Sequence, residues 1–92
     1  ADGVGFDVRL TGDGRLVIIH DGSLKRVAGV DILVRRAAYH ELARYSLGMG
    51  QHIPLLEDAL KALPRGKLLM VEVKDPDASL PVYSMLKGMG RL

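Results

Sequence analysis

Cysteine is absent from this 92-residue chain, which excludes a disulfide framework and any zinc site built on thiolates. The same absence fits a reducing compartment and favours the cytoplasm. Tryptophan is missing as well, and the aromatics are only Phe6, Tyr39, Tyr45 and Tyr83, too sparse a set for a base-stacking platform. Neither sign of charge dominates. The 13 basic and 11 acidic side chains are mixed along the sequence and leave a net +2, too little for a nucleic-acid surface. No apolar run approaches the ~20 residues that cross a bilayer, and no segment has the form of a signal peptide. The chain enters a strand-like pattern almost at Ala1, so a natural N-terminus is expected upstream. What remains, with 48% hydrophobic residues, is one soluble globular unit of marginal stability, since a domain this small buries only roughly 60–65% of its unfolded surface.

Periodicity organises the chain. From Val4 to Leu10 the residues alternate, with Phe6, Val8 and Leu10 on one side and Gly5, Asp7 and Arg9 on the other, the period of a strand. Asp13-Gly14 reads as a two-residue hairpin turn, and Leu16 to His20 as the returning strand. Counting outward from that turn sets Leu10 opposite Val17, Val8 opposite Ile19 and Asp7 opposite His20. The stretch from Ser23 to Gly29 is polar and basic and reads as a loop. Leu33, Val34, Ala37, Ala38, Leu42 and Tyr45 recur at helical spacing, predicting a helix over 31–47 that stops at Gly48. Pro54 suits the first turn of a second helix with Leu56, Ala59, Leu60 and Leu63 on its apolar face. Lys67 to Lys74 is apolar on both faces until its end, as in a buried strand of a parallel sheet. Residues 81–87 read as a short final helix.

Asp7, His20, Glu72 and Lys74 form the candidate constellation, each at or just after the end of an apolar strand pattern. In parallel β/α barrels, catalysis is built at the carboxyl ends of strands. Two carboxylates from different strands supply hard oxygen ligands for Mg²⁺ or Ca²⁺. A histidine can move a proton and a lysine can balance phosphate charge. The plainer alternative is that charged residues closing strands are solvated strand ends, and that Asp7 and His20 are a simple cross-strand pair.

A family resemblance bears on that choice. Ala1-Asp-Gly-Val-Gly-Phe-Asp-Val-Arg-Leu-Thr-Gly-Asp-Gly14, then Leu16-Val-Ile-Ile-His-Asp21, resembles a hallmark block of the glycerophosphodiester phosphodiesterases. That block runs A-D-G-(V/I)-E-x-D-V-x-L-T-x-D-G, then an apolar strand ending in H-D. Leu24 and Arg26 match the L-x-R that follows it, Ile53-Pro54-Leu55-Leu56-Glu57 resembles an I-P-T-L-E helix start, and Val71-Glu72-Val73-Lys74 is similar to a later E-(I/V/L)-K strand. The resemblance implies an α/β fold, part of a (β/α)8 TIM-type barrel with an extended β-hairpin near the N-terminus. It implies Asp7 and Glu72 as metal ligands, His20 as one of two acid–base histidines, and Lys74 beside the phosphate. The implied reaction is metal-dependent hydrolysis of a glycerophosphodiester to an alcohol and glycerol 3-phosphate.

Two departures set limits. Where the family pattern has a glutamate, two residues before Asp7, this chain has Gly5, so binding of Mg²⁺ or Ca²⁺ is expected to be weakened. The family's opening strand with a His-Arg pair, and its later barrel strands, have no counterpart here. A (β/α)8 barrel takes ~250 residues, so residues 1–92 are expected to form a partial domain. The expected explanations, in order of preference, are a piece of a longer chain, a truncated reading frame, or a protomer completed by partners; unpaired barrel edges would favour homo-oligomers. The rival function is a non-catalytic assembly module that keeps part of the fold. A related phospholipase acting on phosphoinositides or sphingolipids fits the T-x-D-G hairpin and the I-P-x-L-E start less well. His40-Glu41 begins like the zinc helix H-E-x-x-H, but Arg44 stands where the second histidine belongs, so that reading fails. His52 has no evident partner, the Gly-Met-Gly triplets at 48–50 and 88–90 read as helix ends, and the four methionines as gap-fillers.

Overall fold

The computed structural model describes residues 3–92, and the first two residues of the motif block, Ala1 and Asp2, lie outside the described residues. A strand β1 (Gly3–Leu10) occupies the centre of a three-stranded sheet, with β2 (Leu16–Ile18) on one side and β3 (Leu68–Val73) on the other. The β1–β2 pair is antiparallel and the β1–β3 pair parallel. A parallel pair needs a long crossover between its strands. Here the crossover carries α1 (Lys25–Ala28), a 3-10 turn at Val34–Arg36, α2 (Tyr39–Leu42) and α3 (Leu56–Ala62). After β3, a second 3-10 turn (Pro76–Ala78) leads into α4 (Ser79–Gly88).

The hairpin register departs from expectation by one residue. Leu10 faces Leu16, Arg9 faces Val17 and Val8 faces Ile18, so Asp7 does not stand opposite His20. The turn explains the slip. Thr11 N–H donates to the Arg15 carbonyl and Gly14 N–H to the Thr11 carbonyl, with Gly14 at φ 82°. That is a three-residue loop over Gly12-Asp13-Gly14, closed by a glycine in the left-handed region, rather than a two-residue turn. The Thr11 hydroxyl, which accepts from Arg15 N–H, donates to Asp13. Asp13 in turn accepts from Tyr39 N–H at 3.0 Å and so ties the turn to the start of α2. The Thr11 hydroxyl, first among several donors, holds the Asp13 carboxyl below its usual range.

The register serves two cores. Phe6, Val8 and Leu10 on β1 share a face with Leu16 and Ile18, and with Leu69, Val71 and Val73 on β3. Against that face pack Leu56 and Leu60 of α3 together with Ala78 and Val82. Val17 and Ile19 turn to the other side, into a cluster with Leu24, Val34, Ala37, Leu42 and Ile53. The run Leu16-Val17-Ile18-Ile19 is apolar throughout because β2 lies between both cores. Burying one such side chain fully contributes roughly 1.5–3 kcal/mol.

The helix expected over 31–47 is largely absent. Its first half spends its backbone groups on other segments: Leu24 N–H donates to Ile32 O, Val34 N–H to Gly22 O, and Gly12 N–H to Ala37 O. Val30 and Ile32 are β-branched and suit that extended route. The closeness is steric as well, since a Cβ at Gly12 would stand 2.9 Å from the Arg36 carbonyl carbon. Only the 3-10 turn at Val34–Arg36, α2 and the turn after it keep helical form. Residues 25–28, expected in a loop, form the short helix α1 instead. The α3 helix begins after Pro54, whose carbonyl accepts from Ile18 N–H at 3.0 Å, and it ends before Leu63, which is extended. The Gly48–Gly50 triplet lies in a loop remote from any helix end, with Met49 fully exposed. Gly90 does follow α4. His52 has a partner after all, its Nδ1 lying 2.8 Å from the Ala43 carbonyl.

The strand β3 also differs from expectation. Only Leu69, Val71 and Val73 are covered, whereas Leu68 and Met70 are each 66% exposed. With Gly3 and Gly5 beside them, they leave one face of the parallel pair open, and the polar ends of β1 and β3 emerge on that face.

Candidate active site

Strand register alone brings the two carboxylates together. Asp7 is the direct partner of Glu72 in the parallel ladder, as Gly5 is of Met70. Aligned residues of parallel neighbours point the same way. Both acids therefore stand on the open face, near the carboxyl ends of their strands. Gly5, Asp7, Met70 and Glu72 line an open groove of about 390 Å³, together with Phe6 and Val71.

Lys74, two residues beyond Glu72, lies over the pair. Its ammonium bonds Glu72 Oε2 and stands 3.9 Å from Asp7 Oδ1. The hydrogen bond and then the charge of Lys74 lower the Glu72 carboxyl, with a smaller contribution from the charge of His20. The same bond to Glu72 raises the Lys74 ammonium. Both groups are thus held in their charged forms.

His20 is the first residue past the β1–β2 ladder, whose last bond runs from Ile19 N–H to Asp7 O at 3.0 Å. The imidazole does not meet Asp7. Its Nδ1 lies 2.9 Å from Asp21 Oδ1 instead, and its ring is 66% exposed. Arg26 donates to both Asp21 oxygens, at 2.7 and 3.1 Å. Arg26 first, and His20 second, hold the Asp21 carboxyl far below the usual carboxylate range. The charged carboxylate accepts from the imidazole's Nδ1–H, which leaves Nε2 as the ring nitrogen free to exchange a proton.

Two further residues attach this end of the sheet. Asp75, just after Lys74, is buried. Its carboxylate accepts from Arg9 Nη1 at 3.1 Å and from Leu10 N–H at 2.9 Å. Arg9 donates through Nε and Nη2 to the His20 carbonyl at 3.1 and 2.9 Å. Sequence reasoning assigned roles to neither Arg9 nor Asp75. The alternation of β1 put Arg9 on the Asp7 face, which was the one available signal.

Among the described residues no three His, Cys, Asp or Glu side chains converge on one point. Asp7 and Glu72 supply two carboxylates, a donor set that suits Mg²⁺, which commonly takes one or two carboxylates and keeps several waters. Of the four residues picked out from the sequence, Asp7, Glu72 and Lys74 meet directly. His20 stands beside them on its own loop.

Comparison with known proteins bears on the family and the fold. The model of the glycerophosphoryl diester phosphodiesterase family matches residues 1–89. A glycerophosphodiester phosphodiesterase of Bacillus altitudinis is 37% identical over 81 residues, covering 80% of this chain and 33% of that protein. The crystal structure of a glycerophosphodiester phosphodiesterase from Thermotoga maritima superimposes with a TM-score of 0.85 at 35% identity, covering 96% of this chain and 38% of that one. A phosphodiesterase from Oleispira antarctica, solved in complex with the product sn-glycerol-3-phosphate, gives a TM-score of 0.82 at 28% identity, over 94% of this chain and 40% of that one. The chain spans about a third of the length of the curated relatives it matches. Its fold is part of a TIM-type (β/α) barrel, in which β1 and β3 are neighbouring barrel strands and β2 is the return strand of a hairpin.

Proposed function

The chain belongs to the glycerophosphoryl diester phosphodiesterase family, and from that premise we propose that it carries part of the site for metal-dependent hydrolysis of glycerophosphodiesters to an alcohol and glycerol 3-phosphate. The observation that carries the reading is the direct pairing of Asp7 with Glu72 under the Lys74 ammonium. Asp7 and Glu72 would hold Mg²⁺ or Ca²⁺. The bound cation would polarise the phosphoryl oxygens. Lys74 is held charged where it can leave the carboxylates for a phosphate oxygen. His20, with Nε2 free, exchanges a proton with the attacking water or with the departing alcohol. The balance is simple: water adds across the phosphorus–oxygen bond to the alcohol, which departs with a proton. The test is hydrolysis of glycerophosphocholine with and without Mg²⁺ or Ca²⁺, with His20→Ala assayed beside it. Metal-dependent turnover that disappears in the variant supports the reading; turnover indifferent to metal and to His20 would end it.

One observation favours a second reading, a non-catalytic assembly module. Gly5 leaves the open face without a third carboxylate beside Asp7, although the position has room for one: the nearest atom to a Cβ there is Met70 O at 4.0 Å. In that reading the exposed Leu68 and Met70 meet a further copy of the chain. Sedimentation showing oligomers that dissociate on Met70→Glu, with no hydrolysis in any metal, would favour it.

A further inference from the structure

We propose that Arg9 is a positioning residue for His20, tying the histidine loop to the end of β3; the functional side of this role rests on the proposed acid–base part of His20. Beyond the β1–β2 ladder the chain leaves the sheet, and the His20 carbonyl has lost its strand partner. Arg9 replaces that partner with two donors, Nε and Nη2. The third arm of the same guanidinium is bound to Asp75. Asp75 is itself anchored to β1 by Leu10 N–H, and it follows directly on Lys74, whose own N–H bonds the Val8 carbonyl at 2.9 Å. A continuous chain of bonds therefore runs from the carboxyl end of β3 through Asp75 and Arg9 to the backbone of His20. The loop also packs on the guanidinium, because a Cβ placed on Gly22 would stand 3.6 Å from Arg9 Nη1 and 3.7 Å from its Cζ.

The chemistry suits this task. The Arg9 side chain is 20% exposed and the Asp75 side chain 10%, so the pair lies beneath the site surface, where it would not meet a substrate. A guanidinium has a planar fork that serves two acceptors in different directions at once, which a lysine ammonium on a flexible stem does far less well. The Asp21–Arg26 pair orients the ring through Nδ1, while Arg9 locates the backbone from which the ring projects. The two restraints are separate, and they fix the imidazole relative to Glu72 and Lys74. A misplacement of about 1 Å at such a group can cost on the order of a hundredfold in rate.

The experiment is carbon–proton NMR of the histidine rings in the whole chain, comparing wild type with Arg9→Met, Arg9→Lys and Asp75→Asn. The Nε2-side ring signal of His20 is expected to move toward the position of a free histidine and to broaden in Arg9→Met. In Arg9→Lys the ion pair with Asp75 survives, so the melting temperature is kept while the His20 signal still shifts. A merely structural Arg9 would give the opposite pattern, with stability lost in Arg9→Met, restored in Arg9→Lys, and the ring signal unmoved whenever the chain is folded. A His20 signal identical to wild type in folded Arg9→Met and Arg9→Lys overturns the proposal. If the wild-type chain turns over substrate, kcat should fall on the order of tenfold to a hundredfold in Arg9→Lys with KM nearly unchanged. If it hydrolyses nothing, the phosphodiesterase reading fails, and the positioning role is still decided by the ring signal.

Discussion

Asp7 and Glu72, 65 positions apart in sequence, are direct partners in the parallel β1–β3 ladder, and the Lys74 ammonium bridges them. Two aligned carboxylates on neighbouring strands repel each other unless a cation lies between them. Lys74 supplies that cation from within the chain.

The lysine's role can be read from pH. The Glu72 carboxyl lies below its ordinary 4.5, first through its hydrogen bond from Lys74. Its contribution to stability is therefore complete above 4.5 and is lost as pH falls through the depressed value. Lys74 lies above its ordinary 10.5, first through its hydrogen bond to Glu72. Its contribution is complete below 10.5 and is lost as pH rises through the raised value. Solvent screening keeps both effects small. Lys74→Met is expected to return the Glu72 midpoint toward 4.5 in a carboxyl-carbon NMR titration. An unchanged midpoint would show that the pair does not form in solution.

Adding the missing carboxylate should strengthen cation binding. Gly5→Glu places a third acid on the Asp7 face in open space, and affinity for hard cations rises with ligand number and charge. Calorimetry is expected to show Mg²⁺ or Ca²⁺ binding roughly tenfold tighter, or about 1.4 kcal/mol. Without metal the variant should melt lower than wild type, because the new charge faces Asp7. Equal affinity in both proteins would count against a metal site here.

The approach of Gly12 to the segment at Arg36-Ala37 is close enough to test. Gly12→Ala would force its Cβ to within 2.9 Å of Arg36 C and 3.1 Å of Ala37 N, both backbone atoms that cannot swing aside. A loss of about 1–3 kcal/mol in urea unfolding is expected. A neutral effect would mean that the hairpin and the Arg36-Ala37 segment are not packed as described.

Leu60 tests the helical side of the core. It is fully buried with Leu56 against the sheet. Leu60→Ala should cost about 2–5 kcal/mol, a large part of the ~5–15 kcal/mol typical of a whole domain. Denaturation at the wild-type midpoint would show that α3 does not pack on β1 and β3.

Residues whose roles follow from local alternation were legible in the chain itself. Phe6, Val8 and Leu10 face the core, and Asp7 faces away from it, as period-two patterning requires. Leu56 and Leu60 are one helical turn apart and share a buried face. The expected pairing of Asp7 with His20 failed, because it hung on the length of one turn. A loop of three residues instead of two shifts every facing pair by one. The helix expected over 31–47 failed for a related reason. Spacing of apolar residues records which side chains are buried, but around Val34 and Ala37 the backbone makes a single 3-10 turn, with Val34 N–H bonded to Gly22 and the Ala37 carbonyl to Gly12.

The sequence by itself determined the strand faces, the positions of charge at strand ends and the family pattern, because these depend on neighbours a few residues away or on the order of motifs. Only the tertiary structure decided that Glu72 aligns with Asp7, that His20 turns to Asp21, and that Arg9 reaches both Asp75 and the His20 carbonyl. Apart from the His20–Asp21 contact, these join segments far apart in the chain. Their geometry is set by strand register and by the packing of two cores, quantities that emerge only when the whole chain has chosen how to bury its apolar surface.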